Sequence, residues 1–410
     1  MPLQIADCRL PIAEALSYLA CKLLNLNTNN HYQTIVIGVG SMGSAACYYL
    51  ARRGNRVLGI EQFDLPHDRG SHAGQSRIIR KAYFEHPDYV PLLQRSYDNW
   101  RAFEKETGER YYFDTGVVYF GTHDNSTMVG VRKSAELYHV PIQNFTIDDQ
   151  RTRWPMFRLP DNFEAILEPA AGFVTPERAI AGLAAEAERL GATILKRTAV
   201  HAWKDEGSRV KVTTDKGEFT ADKLILSAGA WTLRLLPQMG RRLRVTRQLL
   251  AWILPENTAR FSPEKFPCWF VEDPRLGSFY GFPVVDEGIS PGPVGLKLAH
   301  HYPGVPSRPD DVDGPVPDSE IQKLKNFLRT YMPDVGEEII ATRKCLYTNS
   351  PDEDFIIDLL PGHEGRVTIA CGFSGHGFKF VPAVGEILAD LAVKGKTDLP
   401  IEFLGLERLG

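Results

Sequence analysis

The chain has few cysteines, no strong excess of either charge and no long apolar run. Its six cysteines in 410 residues (Cys8, Cys21, Cys47, Cys268, Cys345, Cys371) are scattered, with no Cys-x-x-Cys pair. That argues against a disulfide framework or a zinc ribbon and suits a reduced cytosol, so a cytoplasmic protein is expected. Lys plus Arg number 47 against 51 Asp plus Glu, which leaves no basic surface for nucleic acid. No apolar stretch approaches the roughly 18 residues a membrane helix needs. Repeats and low-complexity tracts are absent too. Residues 1–30 lack the basic start and cleavage site of a signal peptide. The spacing over 12–26 predicts a helix docked on the body, and a misassigned start codon would also account for the segment.

What is present begins at Tyr32. Residues 33–37 (Gln-Thr-Ile-Val-Ile) predict a buried strand, Gly38-Val39-Gly40-Ser41-Met42-Gly43 follows, and residues 44–51 read as a helix ending before Gly54. A second strand, 56–60, closes on Glu61. This is the Gly-x-Gly-x-x-Gly fingerprint between strand and helix. Gly38 serves the tight turn, Gly40 the approach of a pyrophosphate, and Gly43 the packing of helix on strand. The helix N-terminus offers free N–H groups and partial positive charge to phosphates. Glu61, 18 residues past Gly43, is placed to accept hydrogen bonds from a ribose diol, which disfavours NADP. The motif does not choose between NAD and FAD.

Further on, Gly70-Ser71-His72-Ala73-Gly74-Gln75-Ser76 leads into Arg77-Ile78-Ile79-Arg80. The two arginines, three apart, fit one helical face, and the isoleucines between them favour a buried site over a solvated one. An amphipathic helix is expected over 91–107, with Leu92, Leu93, Tyr97, Trp100 and Phe103 inward. Strands are expected at 115–121, at 165–168 continued by 172–174, and at 193–195, 199–204, 210–214 and 218–221. Helices are expected at 128–139 and 148–154, and another through Leu190 capped by Thr175-Pro176-Glu177. A buried strand from Asp222 ends in Ala228-Gly229 and returns to the nucleotide sheet. From Arg244 prolines and aromatics increase and strands alternate (248–254, 279–283, 294–298), with turns at Pro291-Gly292 and Pro303-Gly304. This pattern predicts an antiparallel second domain. A charged helix at 318–329, strands at 343–347, 355–358 and 367–370, and a last helix at 378–394 follow. The expected fold is α/β: a Rossmann-type FAD-binding domain (31–115, 165–243 and 340–410), a mostly antiparallel substrate domain (116–164 and 244–339), and an extension (1–30).

Three late stretches draw notice: 344–354 around Cys345, 372–380 (Gly-Phe-Ser-Gly-His-Gly-Phe-Lys-Phe), and 295–301 around Lys297. Glycines at 372, 375 and 377 let backbone crowd a flat ligand, and Lys379 can meet a carboxylate. Period two puts Lys297 on the face opposite Leu296 and Leu298, which by itself reads as a solvated strand lysine. A single cysteine such as Cys345 is usually a small buried hydrophobe. Residue pattern therefore stops at an α/β dinucleotide-binding protein with a basic, carboxylate-friendly pocket.

From Tyr32 to the C-terminus the chain resembles the monomeric sarcosine oxidase and N-methyltryptophan oxidase family of flavoenzymes. The resemblance rests on Gly-Ser-His at 70–72 with Arg-Ile-Ile-Arg at 77–80, Tyr-Gly-Phe-Pro at 280–283, Gly-Leu-Lys-Leu at 295–298, Ser-Pro-Asp-Glu-Asp-Phe-Ile-Ile-Asp at 350–358, and 372–380. It implies FAD held by Gly38, Gly40, Ser41, Met42, Gly43, Glu61, Ser71, Ser76, Arg77, Gly372, Gly375, Gly377 and Lys379, with a covalent 8α-thioether to Cys345. It implies oxidation of an N-methyl amino acid by hydride transfer to flavin, hydrolysis to primary amine and formaldehyde, and reoxidation by O2 to H2O2 in a monomer. Arg80 and Lys379 would clamp the substrate carboxylate. Lys297 would stabilise the charge O2 gains with its first electron. Arg77 would lie on the flavin, and Tyr280, His301 and Tyr347 would shape the cavity. Two positions depart from the family: Ala73 stands where a second histidine is usual, and Ser76 where threonine is frequent. Alternatives are an oxidase of L-pipecolate or another N-substituted amino acid, an NAD-dependent dehydrogenase, and a non-catalytic ligand-binding relative.

Overall fold

The computed structural model describes residues 30–302 and 304–410. The helix expected over 12–26 lies outside these residues, as does Pro303 of one expected turn. The fingerprint strand His31–Ile37 sits in an eight-stranded sheet. It pairs in parallel with Val57–Ile60 on one side and Gly217–Leu226 on the other. Thr193–Leu195 and Val367–Cys371 extend the parallel set. Strands buried on both faces read as unbroken apolar runs, as Ile35, Val36, Leu224 and Ile225 do with no exposed surface. The helix Ser41–Arg52 crosses one face and meets the last helix, Val381–Lys394, so closely that a Cβ on Gly385 would stand 2.4 Å from that of Ala45.

A nine-stranded, mostly antiparallel sheet forms the second layer. Its core strands are Arg244–Ile253, Leu296–Tyr302, Gly277–Phe282 and Cys268–Asp273. The helix Asp318–Tyr331 covers one face, where Phe327 stacks on Trp269 at 5.3 Å. The other face carries Trp252, Cys268, Phe270, Tyr280, Phe282, Cys345 and Tyr347 into the core shared with the nucleotide layer. Both faces are thus buried along the middle of these strands, which decides the environment of residues such as Lys297 and Trp252.

Five expectations change. Arg77–Ile79 is a strand, not a helical face: Gly74 and Gln75 run at positive φ, which stops a helix, and β-branched Ile78 and Ile79 pair with Gly172–Val174. Gly172–Val174 therefore does not continue Phe163–Glu168 but joins a separate three-stranded sheet. Phe163–Glu168 itself belongs to the nine-stranded sheet. Residues 217–226 form one strand rather than two, its first half paired with Val210–Thr214 and its second with the fingerprint strand. Ile339–Asn349 pairs along Arg244–Ile253 in the nine-stranded sheet instead of returning to the first. That pairing sets Cys345 opposite Gln248.

Candidate active site

The two layers enclose an elongated cavity of about 590 Å³. At one end is the fingerprint. Gly40 caps the helix Ser41–Arg52 with no side-chain bond, and a Cβ at Gly40 would meet nothing within 4 Å. Gly43 differs, because a Cβ there would lie 1.9 Å from the Gly38 carbonyl oxygen. The helix end opens on the cavity beside Ser41 and Met42, which is the arrangement a phosphate needs. Glu61 is buried with Val39 N–H at 2.9 Å and Phe63 N–H at 3.0 Å from its two oxygens. Burial pushes its carboxyl up to about 7, although three backbone N–H groups oppose the rise. His67 lies 3.7 Å away, but burial brings it down to about 4, so it is neutral near pH 7 and makes no ion pair. The open helix end and the Glu61 carboxylate suit a nucleotide's diphosphate and ribose, and the same cavity continues to Arg77, Tyr347 and Lys379, where the flavin of FAD would lie.

The middle is organised by Arg77. Its guanidinium donates to the carbonyls of Ser76, Ser71 and Ala73 at 2.8, 3.0 and 2.6 Å, and stands 3.1 Å from the Cys345 sulfur. Cys345 also approaches the Ser71 carbonyl at 3.3 Å. Arg77 and Ser71 line the cavity; Gly43, Ser76, Lys297 and Cys345 are not in its lining. Lys297 is buried, not solvated. Its three donors meet Gly74 O and Ser76 O at 2.6 Å each and Ser76 Oγ at 2.9 Å. The ammonium lies 4.1 Å from the centre of the Phe282 ring. Burial and then Arg77 press its pKa well below the ordinary lysine range, while Glu177 opposes them.

The far end is basic and aromatic. Arg80 donates to both oxygens of Glu85, at 2.5 and 2.6 Å, and lies over the Phe84 ring at 4.0 Å. Burial raises the Glu85 carboxyl, but the charges of Arg80, His376 and Lys379 outweigh it and hold it at about 2. Lys379 donates to the His376 carbonyl at 2.6 Å. Its own carbonyl accepts from Ser96 and Trp100, at 2.5 and 3.2 Å, which ties the loop to the helix Val90–Thr107. Burial and Arg80 keep the Lys379 pKa well below normal. His301 has its Nδ1 3.3 Å from the Tyr347 hydroxyl and stands edge-on to Tyr280 and Phe270. Burial takes it down to about 3, so it is neutral. Gly375, at φ +80°, admits the Tyr347 ring, which a Cβ would meet at 2.2 Å. Gly372 and Gly377 join it in the lining.

Most of the expected residues line one cavity although they come from stretches hundreds of positions apart, while Gly43, Ser76, Lys297 and Cys345 are not in its lining. Reading the sequence missed Glu85, Tyr83 and His376, whose Tyr83 Oη–His376 Nδ1 contact is 2.5 Å, and Glu177, read only as part of a helix cap. A carboxylate five residues after Arg80 was the one local signal. Buried cations at one end, a neutral histidine and aromatic walls suit an anionic, otherwise apolar small molecule.

Comparison with known proteins agrees with this layout. The sequence profile of the family described as FAD dependent oxidoreductase matches residues 33–391. Monomeric sarcosine oxidase of Streptomyces avermitilis is 40% identical over 380 residues, covering 92% of this chain and 98% of that protein. N-methyl-L-tryptophan oxidase of Yersinia pestis is 35% identical over 380 residues, covering 92% and 99%. Among solved structures, NikD, an unusual amino acid oxidase essential for nikkomycin biosynthesis, superposes with a TM-score of 0.80 at 27% identity, covering 92% and 98%.

Proposed function

The chain belongs to the FAD-dependent oxidoreductase family, and on that premise we propose that it is a monomeric, cytoplasmic oxidase of a small N-methyl amino acid such as sarcosine. The overall reaction is secondary amine, O2 and water to primary amine, formaldehyde and H2O2. One observation carries the reading: Arg80 and Lys379 are buried together in the lining of the cavity that also receives the phosphate-binding helix end. A substrate carboxylate held there is clamped by charge-assisted bonds, and its amine then lies toward the middle of the cavity.

FAD, when bound, accepts the hydride of the N–CH3 carbon and hands two electrons to O2. Everything else falls to the protein. Glu85 holds Arg80 until a carboxylate competes for it. Tyr280, His301 and Tyr347 wall off the amine, and a neutral His301 leaves the amine's positive charge unfavoured, helping it react as the free base. Lys297, with all three donors engaged, offers a fixed positive charge where O2 takes its first electron. Cys345, touching Arg77 and Ser71, is the residue proposed to carry the flavin as a thioether.

The test is a visible spectrum of the purified protein before and after acid precipitation, followed by peroxide release with sarcosine, N-methyltryptophan and L-pipecolate. Yellow colour retained in the pellet and peroxide from sarcosine support the proposal. Colour released to the supernatant removes the Cys345 bond, and peroxide from L-pipecolate alone changes the substrate. Absence of flavin refutes the reading.

A further inference from the structure

Glu177 lies in the first turn of the helix Pro176–Arg189, yet its carboxylate does not serve that helix alone. It is turned toward the loop before Arg77, where it accepts Gly74 N–H at 2.7 Å and Gln75 N–H at 3.1 and 3.2 Å. Both residues run at positive φ, 116° and 71°, a backbone path that side chains disfavour and that the carboxylate holds in place. The Gln75 side chain is pinned as well, donating to Ser290 O at 3.0 Å and accepting from Trp252 Nε1 at 2.9 Å.

The peptide between Gly74 and Gln75 has two ends. Its N–H points to Glu177, and its C=O accepts from Lys297 at 2.6 Å. In a trans peptide the two bonds are antiparallel, so one peptide dipole lies between a half-buried carboxylate and a buried ammonium, favourably aligned with both. We propose that Glu177 is a positioning residue that, through the Gly74–Gln75 peptide, fixes the carbonyl cradle of Lys297 and balances its charge. This rests on the reading that Lys297 serves the O2 step.

The surrounding charges agree. The groups facing Lys297 are Arg77, Glu177, Cys345 and Cys268. Arg77 disfavours the ammonium, and Glu177 is the carboxylate on the other side of the balance. His72, which faces Glu177, is pushed below the ordinary histidine range by burial, with Glu177 opposing the shift, and its Nε2–H donates to the His67 carbonyl at 2.7 Å.

Glu177→Gln and Glu177→Ala separate the two parts of the role. Glutamine keeps an acceptor for the two N–H groups and removes the charge; alanine removes both. In the holoenzyme, stopped-flow mixing measures anaerobic reduction by substrate and reoxidation by O2 separately. In E177Q reoxidation slows by about tenfold more than reduction does, and the pH at which it falls off moves down by about one unit. In a K297M background, E177Q adds nothing. Hydrogen exchange of residues 71–80 in the cofactor-free protein reads the bridge without turnover: exchange quickens in E177A and in K297M, and E177Q stays close to the parent. An unmoved pH edge in E177Q, equal slowing of both half-reactions, or unchanged exchange in E177A overturns the proposal. Reoxidation unaffected in K297M would instead overturn the O2 role of Lys297, and the exchange arm would still decide the Glu177 bridge.

Discussion

Glu61 makes the cofactor-free protein less stable as pH rises, and the size of the effect follows from its setting. Burial moves the carboxyl from 4.5 up to about 7, against the opposing N–H groups of Phe63, Val39 and Gln62. Between those two values the folded protein keeps a proton that the unfolded chain has lost. Stability therefore declines as pH climbs through this window, by ~3 kcal/mol in all, and below the lower value Glu61 contributes no slope. Glu61→Gln is neutral throughout and lacks this loss. Urea unfolding of the cofactor-free protein from pH 5 to 8 gives the difference between parent and variant, so that other titrating groups cancel. Ribose hydroxyls donate to the ionised carboxylate, so FAD binding releases a proton. With a Cys345→Ala variant, affinity rises toward about tenfold per pH unit below 7 and levels off above it. Calorimetry in two buffers of different ionisation heat counts that proton. Parallel pH slopes in parent and E61Q, or binding with no proton release, refute the argument.

Lys297→Met leaves flavin reduction by substrate in place and slows reoxidation by roughly 10²–10³-fold, the ~3–4 kcal/mol lost when one preorganised electrostatic group is removed; stopped-flow kinetics checks both half-reactions. Lys379→Met weakens binding of a carboxylate inhibitor by about 10–100-fold, the value of one charge-assisted hydrogen bond of ~1.5–3 kcal/mol, read by titrating the flavin spectrum. Gly43→Ala drives a methyl into the Gly38 carbonyl, 1.9 Å away, and lowers stability by ~1–3 kcal/mol. Gly40→Ala, with nothing within 4 Å of its Cβ, leaves the unfolding midpoint unchanged and lowers FAD content instead.

Local pattern was sufficient wherever a residue's environment follows from its near neighbours. The fingerprint and its flanking strands appear in the structure with Gly38, Gly40 and Glu61 at one cavity end, because turn, strand and helix geometry depend on adjacent φ and ψ. The inner face of Val90–Thr107 was legible for the same reason, its five expected residues all buried. Lys297 shows where pattern misleads. Alternation gave the right face and the wrong environment, since period two tells that two faces differ and not whether the second meets water. A core shared with the nucleotide layer covers that face. Arg77 and Arg80 show the same limit: spacing of three fits a helix, but the positive φ of Gly74 and Gln75 and a partner strand at 172–174 impose a strand.

By itself the sequence determined the dinucleotide motif, the α/β class and, through its resemblance to a flavoenzyme family, which residues to watch. Only the tertiary structure decided what those residues face. Lys297 meets Gly74 across 223 positions, Arg77 meets Cys345 across 268, and Tyr83 meets His376 across 293. Contacts so distant leave no periodic trace in the chain, and burial among them sets the environment of Lys297, Lys379, Glu85 and His301.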